Sequence, residues 1–287
     1  MLQQTTVQAV VPYYERFLSR FPDLKALAAS PLEDVLESWA GLGYYSRARN
    51  LHKAAVLLAK KDFPKKAAEL IEFSGFGPYT SRAVASLAFG EKVGVLDGNV
   101  IRVLSRVYGL KLEWWNGKER LQLQNLSDDL VQFNDPAVVN QALMELGATV
   151  CTPQSPICNF CPWSKNCIAR KEELQAQLPL KKPRRQSEFW IWKPLLLEKQ
   201  GKFAVMENDY APFLKKQWIF PGSIKKHKQK PKSFDLQHAI THHNIYIQIE
   251  ATKSKQAKGL KWVTATELKK ISPSSMLQKI IAHSSLP

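Results

Sequence analysis

The sequence predicts a mostly α-helical region followed by a smaller α+β region, and three observations carry that expectation. From Met1 to Arg170 apolar residues recur at helical spacing, while strand-like alternation is scarce. Within that stretch Gly75-Phe76-Gly77-Pro78 makes a tight turn between two helical patterns, which reads as a helix-hairpin-helix. Beyond Ser187 the texture shifts to short runs rich in aromatic and β-branched residues. The expected organisation is a helical region over residues 1–170, a linker over 171–187 and a second domain over 188–287.

Each element has its own signal. Val7 to Phe21 is amphipathic, with Val10, Val11, Tyr14, Phe17, Leu18 and Phe21 on one face. Pro31 opens the next helix and sets Glu33 and Asp34 in its first turn, where the helix dipole favours acids. Gly41-Leu42-Gly43-Tyr44-Tyr45 interrupts the pattern before a helix from Arg47 to Lys60. Ala67, Leu70, Ile71 and Phe73 precede the hairpin turn at helical spacing, and Ala83, Val84, Leu87 and Ala88 follow it. Val100, Val103 and Leu104 mark a further helix, and two more run from Gln122 to Phe133 and from Pro136 to Met144. Leu178-Pro-Leu-Lys-Lys-Pro-Arg-Arg-Gln-Ser187 is basic and proline-bearing, as linkers are. Strands are expected at Phe189–Leu197, Phe203–Met206, Trp218–Phe220, Ile240 and Ile245–Ile249, and helices at Ala265–Lys270 and Ser275–Ala282. Lys225 to Lys232 reads as a solvated, lysine-rich loop.

Composition bounds the partners. With 287 residues, 45% hydrophobic, the chain can build one large or two ordinary cores. A net charge of +16 favours an anionic polymer partner, although a merely solvated basic surface has the same arithmetic. No run of about 18 apolar residues is present, so no membrane span is expected. The start, MLQQTTVQAVVPYYERF, lacks the basic segment and cleavage site of a signal peptide, and the reading is intracellular.

Four features can carry chemistry. The turn at Gly75 and Gly77 points backbone N–H groups outward, a means of holding phosphate without reading a base. Asp97 stands between the apolar Val95-Leu96 and Gly98, either as a helix N-cap, the commoner use, or as a reactive carboxylate beside the hairpin. Tyr44 and Tyr45, flanked by glycines and followed by Arg47 and Arg49, either wedge into a duplex and contact phosphates or close the core. All four cysteines fall in one segment, Cys151-x6-Cys158-x2-Cys161-x5-Cys167. Without a secretion signal a disulfide framework is disfavoured, leaving zinc or a [4Fe–4S] cluster. Uneven spacing in one compact loop, with no histidine, favours the cluster. A ferredoxin-type electron carrier is a weak rival, since such carriers are usually small and acidic. The second region lacks a Gly-x5-Glu-x7-Arg-Glu helix, so nothing there marks pyrophosphate hydrolysis.

Taken together and in order, MLQQT, GLGYYSRARNL, GFGPYTSRAVAS, LDGNV and the cysteine loop resemble the adenine DNA glycosylase (MutY) family of helix-hairpin-helix DNA glycosylases. The similarity covers nearly all of Met1 to Arg170, and it extends more faintly to a second domain resembling that family's MutT-like (Nudix-like) domain. The resemblance implies a base excision repair enzyme that hydrolyses the N-glycosidic bond of adenine mispaired with 8-oxoguanine or guanine. It implies double-stranded DNA carrying those mispairs as partner, a monomer on DNA, and a bacterial cytoplasmic location near the nucleoid. Asp97 matches the catalytic aspartate that stabilises positive charge at the sugar as the base departs. Tyr79 falls where bifunctional relatives carry a Schiff-base lysine, which implies base removal without strand cleavage. Asn99 is expected to orient Asp97 or the attacking water. Gln4 and Tyr44 match residues that enter the base stack, while Arg47, Gly75, Gly77 and Thr80 are expected to contact DNA. Cys151, Cys158, Cys161 and Cys167 match the family's [4Fe–4S] ligands. The loop between the first two cysteines has no basic residue here, which weakens the phosphate role it has in relatives. Ile240-Thr241-His242 aligns with the family's Phe-Ser-His element, so Thr241 and His242 are expected to recognise 8-oxoguanine.

One departure shapes the functional expectation. The family's general-acid glutamate lies just upstream of the methionine of MLQQT, where this sequence starts; Glu15, Glu33 and Glu37 do not match it. Such an acid is worth about 10²- to 10⁴-fold in rate. The expectation is a start codon placed too late in a working enzyme. The alternatives are a mispair-binding truncation and, with less support, an endonuclease III-like glycosylase.

Overall fold

The computed structural model describes every residue except 4, 184–185, 252–258 and 285–287. The chain divides into two compact units, one formed by Met1–Arg20, Ser30–Ala48 and Arg184–Pro287, the other by Phe21–Ala29 and Arg49–Pro183. Among the described residues no helix is long and apolar enough to cross a membrane.

The first unit opens with helices α1 (Val7–Arg20) and, after the second unit's short α2 (Leu24–Ala29), α3 (Leu32–Ser38). The amphipathic face of α1 is divided: Val10 and Phe17 are buried, but Val11, Tyr14 and Leu18 are exposed, contrary to the single buried face expected. Phe17 meets the buried Trp39 edge to face with ring centroids 6.0 Å apart. Most of the rest of this unit is sheet, completed by two helices. Strands β1 (Glu188–Leu196), β2 (Glu198–Lys199), β3 (Lys202–Glu207), β4 (Trp218–Ile219), β5 (Gly222–His227), β6 (Leu236–Ile240), β7 (His243–Ile247), β8 (Glu250–Ala251) and β9 (Lys261–Thr264) precede helices α11 (Ala265–Ile271) and α12 (Ser275–Ser284). One sheet runs β5-β1-β7-β6 with β8 beside β1; the other runs β2-β3-β4 with β9 beside β3. Between them lies a core that includes Trp192, Val205, Ile219, Phe220, Ile245 and Ile247, closed by Leu268, Met276, Leu277 and Ile280 of the two helices. Thr264 caps α11 through a reciprocal pair with Glu267.

The lysine-rich loop expected from Lys225 is in part a strand. Lys225, Lys226 and His227 belong to β5, whose Ile224 packs against the core while the lysines remain exposed. Lysine is at home on an edge strand, where it discourages further pairing, so charge density concealed a strand.

The second unit is helical: α4 (Ser46–Leu58), which enters it at Arg49, α5 (Ala67–Leu70), α6 (Pro78–Phe89), α7 (Gly98–Val107), α8 (Gly117–Gln132), α9 (Pro136–Glu145) and α10 (Ile168–Lys171). Its centre is α7, where every residue from Val100 to Arg106 is buried. The first helix of the hairpin is a single turn, so Ile71 falls beyond it and is exposed, as is Leu87 on α6. Part of the stretch read as linker is held to this unit. Arg106 donates to the carbonyls of Gln175 (2.7 Å) and Leu178 (2.9 Å), Trp114 Nε1–H donates to Leu180 O (2.9 Å), and Leu178 is buried.

Candidate active site and cysteine centre

Asp97 performs the local task that its sequence position suggests and keeps a second oxygen in hand. Its Oδ1 accepts the Val100 N–H at 2.8 Å, capping α7, while Oδ2 accepts from Asn99 Nδ2 at 3.1 Å. The two readings of Asp97 are therefore compatible in geometry. The extended stretch that delivers it is pinned by buried hydrogen bonds. Gly94 N–H donates to Asp128 Oδ1 (2.7 Å), Val95 N–H to Asn140 Oδ1 (2.9 Å), and Ser127 Oγ to Val95 O (2.7 Å). Gly94 cannot carry a side chain, because a Cβ there would stand 2.3 Å from the Ser127 backbone.

Tyr79, in the first turn of α6, is half-buried against the same core and donates its hydroxyl to Met144 Sδ at 3.2 Å. Burial first, and the Asp97 charge second, push the Tyr79 phenol above the ordinary tyrosine value. It stays a neutral donor at physiological pH.

A chain of contacts runs from Asp97 to the cysteines. Asn99 Oδ1 accepts from Arg102 Nη2 (2.8 Å). Arg102 also donates to the carbonyls of Gly147 (2.7 Å) and Cys151 (2.7 Å). Gly147 lies in a π-helical turn, Leu146–Val150, and a Cβ there would be 2.6 Å from Asn99 Cβ. Such turns often mark functional sites. Arg106, one turn along α7, donates to Thr152 O (2.7 Å) and Pro153 O (3.0 Å) and reaches Cys151 Sγ at 3.4 Å. Neither arginine was expected at the site from the sequence. The available signal was two cations spaced i, i+4 on an otherwise apolar helix.

Cys151, Cys158, Cys161 and Cys167 are unpaired as disulfides and line one enclosed cavity, together with Val103, Val107, Leu146, Val150 and Pro156. Burial pushes the Cys161 thiol up, and the other three cysteines add to the shift. Four soft thiolate donors, an apolar wall and the Arg106 cation fit a cluster of the [4Fe–4S] type.

The hairpin turn uses Gly75 at φ +89°, where a Cβ would press within 3.1 Å of Asn50 Cβ. Gly77 is the N-cap of α6 and brings no side-chain cap; Pro78 follows at the first position and Thr80 is half-buried in the first turn. The N-terminal N–H groups of a helix have no partner within it.

The remaining predicted residues lie in the first unit. Tyr44 is 53% exposed and sits at φ +48°, a left-handed conformation unusual for a bulky residue. Gly41 at φ +104° makes room for Tyr13, whose hydroxyl would lie 2.2 Å from a Cβ at that glycine. Arg47 was expected on phosphate, yet its guanidinium is engaged internally. It donates to the carbonyls of Met1 (2.6 Å) and Gln3, to Thr5 Oγ1 (3.1 Å), and to the carbonyls of Leu42 and Gly43. It thereby ties the MLQQT segment to the Tyr44 loop. Gln4 lies outside the described residues. Thr241 and His242 form the two-residue turn between β6 and β7. Thr241 is at φ +56°, and its Oγ1 lies 3.3 Å from His242 Nδ1. A β-branched residue at positive φ is a strained choice where glycine is usual.

Known proteins are similar to this chain. Residues 1–132 match the HhH-GPD superfamily of base excision DNA repair proteins. The adenine DNA glycosylase of Buchnera aphidicola subsp. Schizaphis graminum is 33% identical over 264 residues, spanning 86% of this chain and 76% of that protein. The human adenine DNA glycosylase is 45% identical over 182 residues, which is 62% of this chain but 33% of the human protein. Among solved structures, a trapped endonuclease III–DNA covalent intermediate is similar with a TM-score of 0.52 and 25% identity, over 60% of this chain and 81% of that one. A thermostable thymine-DNA glycosylase is similar with a TM-score of 0.54 and 26% identity, over 60% and 80% of the two chains. By these matches the chain belongs to the adenine DNA glycosylase family within the helix-hairpin-helix superfamily of base excision DNA repair proteins.

Proposed function

We propose that this chain removes adenine mispaired with 8-oxoguanine or guanine by hydrolysing its N-glycosidic bond, and that it leaves the strand uncut. The observation that carries the reading is Asp97, whose Oδ1 is held by the helix while Oδ2 is oriented by Asn99. Departure of the base builds positive charge at the sugar carbon, and a fixed carboxylate oxygen lowers that barrier. Asn99, itself held by Arg102, sets the direction of that oxygen. Tyr79 offers a neutral phenol where a strand-cutting relative would offer an amine, so no Schiff base forms. In the family a glutamate general acid protonates the departing adenine. Glu15, Glu33 and Glu37 lie on α1 and α3 and are not assigned that role.

The binding parts follow. The α6 N-terminus behind Gly75 and Gly77, with Thr80, takes a backbone phosphate. Tyr44, exposed in a strained loop, enters the base stack, and Gln4, by its match to the family, does the same. Arg47 acts through these two by tying their segments together, and is a positioning residue. Residues 188–287 act as a MutT-like lesion-recognition domain, with residues 171–187 as its connector, and Thr241 and His242 read the oxidised purine. The four cysteines hold a [4Fe–4S] cluster, which when bound would brace the loop that Arg102 and Arg106 touch. The protein works as a monomer on DNA in the bacterial cytoplasm.

The test is single-turnover adenine release from an A·8-oxoguanine duplex by the full-length protein. Expected are release without strand scission until alkali is added, and no covalent adduct with borohydride. A borohydride-trapped adduct overturns the uncut-strand reading. Mispair binding without release favours a binding module instead.

A further inference from the structure

Outside the proposed active site, Glu188, His242 and His243 converge on one flank of the first unit. One ligand-type atom from each lies within 4.8 Å of the other two, and this is the one such trio among the described residues. The backbone fixes the grouping. Glu188 pairs with His243 in the parallel β1–β7 register, and Glu188 N–H donates to His242 O at 2.8 Å. His243 Nε2 is 3.4 Å from Glu188 Oε2, and the two imidazole rings are 4.0 Å apart between centroids.

We propose that this trio is a binding site for a divalent transition-metal ion of the zinc type, separate from the four cysteines. Two imidazoles and one carboxylate are the donor set of open tetrahedral zinc sites, which leave the fourth position to water. Bonds of about 2.0–2.1 Å put neighbouring ligand atoms of such a site roughly 3.3 Å apart. The Glu188–His243 edge already has that length, at 3.4 Å. His242 is half-buried in a turn and closes the third corner by rotating its ring. An outer hydrogen bond is in place as well: Trp190 Nε1–H donates to Glu188 Oε2 at 2.9 Å and orients the carboxylate. The carboxylate also pairs with a cation already, since Lys226 Nζ bonds Glu188 Oε1. That lysine side chain is 56% exposed and can withdraw to solvent, so ammonium and metal ion compete for one carboxylate. This binding claim does not depend on any role of His242 in lesion recognition.

The test is anaerobic titration of the cluster-loaded full chain with Co²⁺, followed by optical spectroscopy and by displacement with Zn²⁺. One equivalent is expected, with tetrahedral ligand-field bands, no thiolate charge-transfer band, and loss of the signal on addition of Zn²⁺. His243→Ala and Glu188→Gln should abolish uptake. His242→Ala, a turn substitution with less to disturb in the fold, should also abolish it. Lys226→Ala should tighten binding about two- to five-fold, the worth of one exposed ion pair. Failure to take up Co²⁺, uptake with thiolate bands only, or uptake unchanged in His242→Ala and Glu188→Gln overturns the proposal.

Discussion

Asp97 has one oxygen in the helix cap and one facing Asn99, so a change of charge can be separated from a change of fold. Asn is nearly as good an N-cap as Asp. Asp97→Asn in the full-length protein should keep its melting temperature and its mispair affinity, while adenine release falls by more than about 100-fold. Equal release would remove Asp97 from the chemistry. Tyr79 makes a pH prediction. Its phenol is held above the ordinary value by burial and by Asp97. Stability from the neutral form is thus complete below the unfolded tyrosine value and is lost only as pH rises through the higher folded value. Ultraviolet difference titration against Tyr79→Phe should show no Tyr79 transition below about pH 10. Thr241 is strained at φ +56°. Thr241→Gly should raise stability by about 1 kcal/mol and weaken discrimination of 8-oxoguanine from guanine, measured by thermal melting and by competitive binding.

At the scale of the element, α7 explains how the candidate site is held together. It is buried along nearly its whole length, yet it carries two arginines whose donors meet backbone carbonyls of the cysteine loop and of the π-helical turn. A buried guanidinium is tolerable because its hydrogen bonds are made. Arg102→Met would leave the carbonyls of Gly147 and Cys151 without that donor, at a cost of about 3 kcal/mol. The variant should melt earlier, lose iron faster to a chelator and release adenine more slowly. Gly147→Ala tests the other side of the same contact. Its Cβ would force Asn99 away, so adenine release should fall more than stability does. An alanine tolerated with full release would show that Asn99 has freedom to move. The sequence showed α7 through its apolar spacing and its start through Asp97-Gly98. The carbonyls that the arginines meet in the cysteine loop and the π-helical turn lie 45 to 49 residues away in the chain, and no local pattern records them.

At the scale of the molecule, a net charge of +16 predicts that duplex affinity falls steeply and log-linearly with salt as counterions are released. A flat response in a titration from low to physiological salt would argue against phosphate contact. Much of the architecture was legible in the chain. The hairpin glycines, the caps, the cysteine spacing and most strands are local events, set by backbone preference and periodicity within a few residues. The strand β5 was missed because its lysines mask a short apolar alternation, and α1 was read as one buried face although packing covers only part of it. Side-chain partnerships had to await the folded chain. The internal use of Arg47, the link from Asp97 through Asn99 and Arg102 to Cys151, and the meeting of Glu188 with His242 and His243 each depend on at least one partner more than forty residues away. Composition and spacing set which backbone states and which donor types are available; only close packing selects which distant donors meet which acceptors, because that choice depends on every element around them at once.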